Sequence, residues 1–108
     1  MYNPYQVVKD FERAVADYTG ARYVVAVSSC TAALTLAVAW CLRNRQTWTE
    51  AGELYTWSGE APFRQVINIP TLTYISVPMS IIHAGGWPTF RDEDWIGSYQ
   101  LKPLPVWD

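Results

Sequence analysis

Val25-Ala26-Val27-Ser28-Ser29-Cys30-Thr31-Ala32-Ala33-Leu34 is the stretch on which the fold turns. Apolar, mostly β-branched residues run up to Val27, small polar residues follow, and good helix formers then take over. That order predicts a short, fully buried strand over residues 23–27, a turn, and a helix over residues 32–42. The same run has a rival reading, because residues 23–42 carry no charge and Arg22, Arg43 and Arg45 stand at their ends. Twenty such residues are long enough to span a bilayer. The polar break at Ser28 to Thr31 argues against a single helix and for a strand-turn-helix unit.

Working outward, Asn3 followed by Pro4 is a helix start, an N-cap side chain and then a residue whose fixed φ suits the first turn. Val7, Val8, Phe11, Ala14, Val15 and Tyr18 recur on one face at helical spacing until Gly20 stops the helix. Downstream, residues 44–64 hold polar residues, Gly, Pro and the exposed-looking Trp48 and Trp57 without a defensible period, which predicts an irregular insertion. A second apolar strand over residues 65–69 closes at Pro70, and a second strand-following helix fits residues 75–84, ending at Gly85 and Gly86. Residues 87–90 fit a third strand. After Asp92, Glu93 and Asp94, a solvated turn, a polar stretch leads to a fourth strand over residues 104–108. Alternating strands and helices argue for an α/β fold in three layers, a mostly parallel sheet with helices on both faces. Residues 1–108 are read as one domain.

Half of the 108 residues are apolar, enough to bury a core, and the formal charge of -2 offers no basic field for nucleic-acid phosphates. Cys30 and Cys41, in a chain without a secretory leader at its start, do not suggest a disulfide framework, so a reducing cytoplasm is the expected location. No cluster of His, Cys and acidic residues has metal-ligand spacing, and no glycine-rich nucleotide motif is present. Six Trp and seven Tyr point to a surface covered in the working protein.

In parallel sheets ligands bind beyond the carboxyl ends of the strands. Three polar groups fall there: Ser28-Ser29-Cys30-Thr31, Thr71-Leu72-Thr73-Tyr74, and Asp108. The first opens a helix, so its free N–H groups and the helix dipole favour a phosphate, although a plain N-cap has the same sequence. Tyr74 can stack on a flat ring or simply pack. Asp108 can pair with a protonated ring nitrogen or cap a loop. Cys30 at a helix start also suggests a lowered pKa and a nucleophilic thiol, with His83 as the available base.

Taken together, these groups resemble the DegT-type (DegT/DnrJ/StrS) sugar aminotransferases, of fold type I of the pyridoxal-phosphate (PLP) enzymes. The similar stretches are Phe11-Glu12 through Tyr18-Thr19-Gly20-Ala21, Val25 through Leu34 as quoted above, Val66-Ile67-Asn68-Ile69-Pro70-Thr71-Leu72-Thr73-Tyr74, and Gly85-Gly86-Trp87-Pro88-Thr89-Phe90-Arg91-Asp92. The resemblance implies that the chain is the N-terminal part of a PLP-binding large domain. It implies that Ser29, Cys30 and Thr31 hold the cofactor phosphate, that Tyr74 stacks on the pyridine ring, and that Asp108 pairs with the ring nitrogen and keeps it protonated. Glycine is commonest in the family at the Cys30 position, but another small side chain also lets the backbone approach a phosphate. The implied reaction moves an amino group from an amino acid to a keto-sugar nucleotide, in a homodimer or beside a longer partner chain, without nucleic acid or membrane.

Two departures bear on that expectation. The family's Schiff-base lysine lies far downstream of the aspartate, and neither Lys9 nor Lys102 stands at its position, so no catalytic residue is assigned in this chain. Residues 93–104 replace the family's usual further helix and strand with a connector near the lower limit for a parallel crossover, roughly ten to twelve residues. The alternative is a shortened, non-catalytic relative that keeps the fold and binds a partner, with Trp48, Trp57, Trp95 and Tyr99 on the interaction surface.

Overall fold

Asn3 Oδ1 accepts the Tyr5 N–H at 3.0 Å in the turn that leads into α1 (Gln6–Thr19), but the N-cap position falls at Tyr5, without a side-chain cap, and not at Asn3 as expected. Gly20 ends it in the left-handed region, φ 79°, with its N–H on the Ala16 carbonyl at 2.8 Å. The computed structural model describes residues 3–49, 54–56 and 64–108. α1 buries none of its residues, and Val7, Phe11 and Tyr18 stay exposed. It is tied to the next segment by the Ala26 N–H, donated to Glu12 Oε2 at 2.7 Å.

The core lies between two helices and a small sheet. α2 (Cys30–Leu42) turns Leu34, Val38 and Cys41 inward, positions spaced four and three apart on one face. Leu36 and Trp40 on its other face remain exposed. β3 (Val66–Pro70) alternates as a half-covered strand should, Ile67 and Ile69 fully buried and Val66 exposed. α3 (Ser76–His83) then packs Val77, Ser80 and Ile81 on the same core. β4 (Trp87–Arg91) pairs with β3 in parallel, Val66 opposite Trp87 through Pro70 opposite Arg91. The strand–helix–strand order over residues 66–91 is therefore an α/β crossover unit, as expected. β4 is an edge of the described sheet, where a strand tolerates the missing N–H of Pro88.

Residues 23–27 depart from expectation. They join no ladder, and Tyr23 and Val25 are exposed instead of forming a fully buried strand. β3 offers them no place, since both of its edges are taken. Gln65 O and Thr71 N face β4, bonding Trp87 N and Arg91 O, while Asn68 exchanges both of its main-chain hydrogen bonds with Lys102 (2.7 and 3.0 Å). Successive residues of a strand point their polar groups to opposite edges, so no edge of β3 is left at Asn68 for residues 23–27.

The expected fourth parallel strand over residues 104–108 is also corrected. The chain folds back on itself: Tyr99 and Asp108 exchange main-chain hydrogen bonds at 3.1 and 3.0 Å, and Leu101 N–H donates to Val106 O at 2.9 Å. A connector too short for a comfortable parallel crossover is ample for an antiparallel return. The described sheet is thus two parallel strands with an antiparallel bridge at Lys102. Arg91 ties these pieces together, its guanidinium reaching Asn68 O at 2.6 Å and Gln100 O at 2.9 Å while pairing with Glu93.

The segment read as an irregular insertion lies partly outside the described residues, Trp57 included. Its described part holds a 3-10 turn (Arg43–Arg45) and a short antiparallel ladder of β1 (Gln46–Trp48) with β2 (Leu54–Thr56). Trp48 is half-buried, its indole N–H on Cys41 O at 2.9 Å, and Gln65 clamps its main chain. Among the described residues no helix is long and apolar enough to cross a membrane. The uncharged run at 23–42 divides into a segment without regular structure and α2.

Gly86 sits where α3 meets β3. A Cβ there would stand 2.8 Å from Ile67 Cδ1, 3.0 Å from Ile81 Cγ2 and 3.3 Å from Ile81 O. Since both isoleucines are fully buried, the neighbours have little room to yield. Gly86→Ala is expected to destabilise the chain by about 1–3 kcal/mol, read as a lower urea midpoint with an unchanged slope.

Candidate functional site

The turn before α2 is built by a cap. Ser29 is extended (φ -160°, ψ 162°), its Oγ accepts the Ala32 N–H at 3.1 Å, and its carbonyl accepts Ala33 N–H at 3.0 Å. The N-cap reading of Ser29 therefore holds in the structure. A hydroxyl oxygen that accepts still has its own O–H to donate. The N–H groups of Cys30 and Thr31 and the Thr31 hydroxyl have no acceptor among the described residues. They stand at the positive end of a 13-residue helix.

Asp108 meets this turn from the far end of the chain. Cys30 Sγ donates to Asp108 Oδ1 at 3.3 Å, and Tyr99 Oη donates to Oδ2 at 2.5 Å. Two of the five expected site positions are thus brought into contact across 78 residues. Ser29 and Thr31 flank one of them. Tyr74 stands apart from that contact, 79% exposed in the loop before α3. A second route ties its loop to the same place. The Trp95 indole N–H donates to Leu72 O at 2.8 Å, and the Trp95 ring meets Tyr99 edge-on, with centroids 4.7 Å apart.

The expectation that Trp95 and Tyr99 lie on an exposed interaction surface is corrected for Tyr99, which is 3% exposed and belongs to the core. Its place was missed because the 99–108 return was read as a connector and a parallel strand. Tyr99, Leu101, Leu104 and Val106, all buried and interrupted by Pro103 and Pro105, carried the signal of two short arms around a turn.

The electrostatics follow from the shared carboxylate. The hydrogen bond to Asp108, then burial, then the charge of Asp108 raise the Cys30 thiol above its ordinary pKa. This overturns the expectation of a lowered pKa and a nucleophilic thiol. The helix dipole pulls toward the thiolate, but a carboxylate at hydrogen-bond distance acts more strongly in the opposite direction. The thiol's partner is Asp108, not His83. Burial pushes the Tyr99 phenol well above its usual value, and the bond to Asp108 adds to the shift. Iodoacetamide at about pH 7.5 is therefore expected to alkylate Cys30 more slowly than a free thiol, and Asp108→Asn to speed the reaction. Peptide mass spectrometry reads both rates, and a wild-type rate at or above that of free cysteine contradicts the assignment.

The fold and site are those of an α/β protein whose capped helix start leaves anion-accepting N–H groups beside a fixed carboxylate. The chain belongs to the DegT/DnrJ/EryC1/StrS aminotransferase family, whose model matches residues 1–106. It is similar to the spore coat polysaccharide biosynthesis protein SpsC of Bacillus subtilis (strain 168), 39% identical over 87 residues. That similarity covers 81% of this chain and 18% of SpsC, so the chain spans less than a fifth of the relative's length. No solved structure matches the chain. Asp108 lies beyond the matched residues, and its place in the site rests on its contacts with Cys30 and Tyr99.

Proposed function

We propose that this chain forms the phosphate-facing and ring-nitrogen-facing part of the PLP site of an aminotransferase that acts on a keto-sugar nucleotide. The observation that carries the reading is the meeting of Cys30 and Asp108, which joins the α2 start to a carboxylate able to face a ring nitrogen. Family membership supports the reaction class, and the name of SpsC supports a role in polysaccharide synthesis.

The residues fit the cofactor. Unpaired N–H groups at Cys30 and Thr31, with the Ser29 and Thr31 hydroxyls, suit a phosphate at a helix start. Each Asp108 oxygen has accepted one hydrogen bond and keeps a further lone pair for a ring N–H. Tyr74, exposed beside the site's connecting loop, is free to cover a ring face. When bound, the cofactor supplies an electron sink for amino-group transfer. This chain's part is to hold the phosphate, keep a proton on the ring nitrogen and set the ring's tilt. By the family's pattern the reactive lysine would lie downstream of the aspartate, and neither Lys9 nor Lys102 takes its place. The same reading makes residues 1–108 one partial domain of a three-layer sheet and places the enzyme in the cytoplasm. Its partners would be an amino donor, a sugar nucleotide and a second copy or a longer chain over the exposed faces of α1 and α2.

Equilibrium dialysis of the full chain against pyridoxal phosphate tests the proposal. Saturable binding that inorganic phosphate displaces, and that Thr31→Val weakens several-fold, is the expected result. No binding, with tight capture of a longer partner chain instead, favours the non-catalytic alternative.

A further inference from the structure

The cofactor reading leaves Tyr99 without a task, yet the structure commits this residue to Asp108 more fully than any other. Its hydroxyl donates to Asp108 Oδ2 at 2.5 Å, its N–H donates to Asp108 O at 3.1 Å, and its carbonyl accepts Asp108 N–H at 3.0 Å. Side chain and main chain therefore fasten the same partner. The ring itself has little freedom: it is buried in the core cluster that also holds Leu101, Leu104 and Val106, and Trp95 meets it edge-on. Trp95 is anchored in turn on Leu72 O. A carboxylate's terminal torsion is broad and roughly two-fold, so without a fixed partner Asp108 has no single orientation.

We infer that Tyr99 is the positioning residue for Asp108: by holding Oδ2 it leaves Oδ1, on the Cys30 side, as the oxygen offered to a cationic ring N–H. This rests on the cofactor reading above. Oδ1 is the atom already touched by Cys30, which marks the direction in which the carboxylate is offered. The phenol's raised pKa keeps it a donor across the working pH range, so the arrangement does not switch off near neutrality. Tyr99 contacts no reacting atom and has no catalytic step of its own.

Pyridoxamine phosphate with a nitrogen-15 ring label is the probe, because it binds without a lysine and its ring shift reports protonation directly. The full chain, Tyr99→Phe and Asp108→Asn are each titrated with it while tryptophan fluorescence gives the affinity. With wild type the bound ring is expected to stay protonated to higher pH than the free ligand. Tyr99→Phe should bind within about threefold of wild type through its intact phosphate turn but lose roughly tenfold in ring-proton affinity, about one pKa unit. Asp108→Asn should lose the effect altogether. If Tyr99→Phe titrates like wild type while Asp108→Asn does not, the cofactor reading stands and the positioning role falls. If wild type does not bind the probe, or Asp108→Asn titrates like wild type, the cofactor reading fails and takes the positioning role with it. Near-UV circular dichroism checks the fold of Tyr99→Phe. Should that variant not fold, the hydroxyl proton of Tyr99 in wild type serves instead: it should shift when the probe binds, and an unmoved resonance overturns the inference.

Discussion

Ile67→Ala is expected to cost about 2–5 kcal/mol, a large share of what a small domain has. Ile67 is fully buried in β3 and faces Gly86 so closely that no Cβ fits between them. Removing its branched side chain takes buried apolar atoms out of the core. It also leaves a cavity under α3 that the glycine, lacking a side chain, cannot fill. The main chain of the adjacent Asn68 is held by Lys102 and by Arg91, which resists an inward slide of the strand to collapse the space. The urea midpoint should fall sharply with little change in slope, and Ile67→Val should fall by about 0.5–1.5 kcal/mol. An alanine variant within about 0.5 kcal/mol of wild type would mean that β3 is not the centre of the core.

The same part of the molecule explains what was legible in the sequence. β3, α3 and β4 were read from a short apolar run, a helix and a second run bounded by Pro70, Gly85 and Gly86. Contacts between them are close in sequence, and local pattern suffices for such a unit. The Ser29 cap and Gly20 stop were legible for the same reason, since each acts on its own helix end. What failed was long-range pairing. The apolar character of residues 23–27 correctly signals affinity for a covered place, but it says nothing about whether a sheet edge is free. In this chain Asn68 gives that edge to Lys102, some 34 positions downstream. The fourth strand failed through direction: apolar residues at 104 and 106 suit either a parallel strand or the arm of a hairpin, and only the short connector before them separates the two.

The candidate site divides along the same line. Ser29, Cys30 and Thr31 are legible as candidates because a helix start writes its chemistry into consecutive residues. Asp108 is legible only as a polar residue ending an expected strand, its choice between cap and ring partner is implied by resemblance, and its contact with Cys30 is a tertiary fact. Tyr99 was misassigned because aromatic residues in a polar stretch read equally as surface or core. The thiol pKa was inverted for a related reason: the dipole of α2 is legible from sequence, and a carboxylate arriving from the other end of the chain is not.

Alkaline pH supplies the other large effect. In the unfolded chain the Tyr99 phenol ionises near pH 10, whereas in the folded chain burial and the Asp108 bond hold it neutral to well above that value. Between those limits the folded state binds more protons than the unfolded state, so stability falls as pH rises. The contribution is fully present below about pH 10 and is lost at about 1.4 kcal/mol per pH unit above it, until the folded-state phenol itself ionises. Cys30 has the same sign with an earlier onset, near the ordinary thiol value, but it is exposed and its share is small. Other tyrosines and the lysines titrate in the same range, so the quantity to measure is the difference between wild type and Tyr99→Phe. Urea unfolding at stepped pH should show the two curves converging above about pH 10, because the variant has no phenol at 99 to be forced neutral. Parallel curves would mean that the Tyr99 hydroxyl is not held on Asp108 in solution. Such a result would remove the contact that fixes the carboxylate and, with it, the reason for a ring nitrogen to find Oδ1 in one orientation.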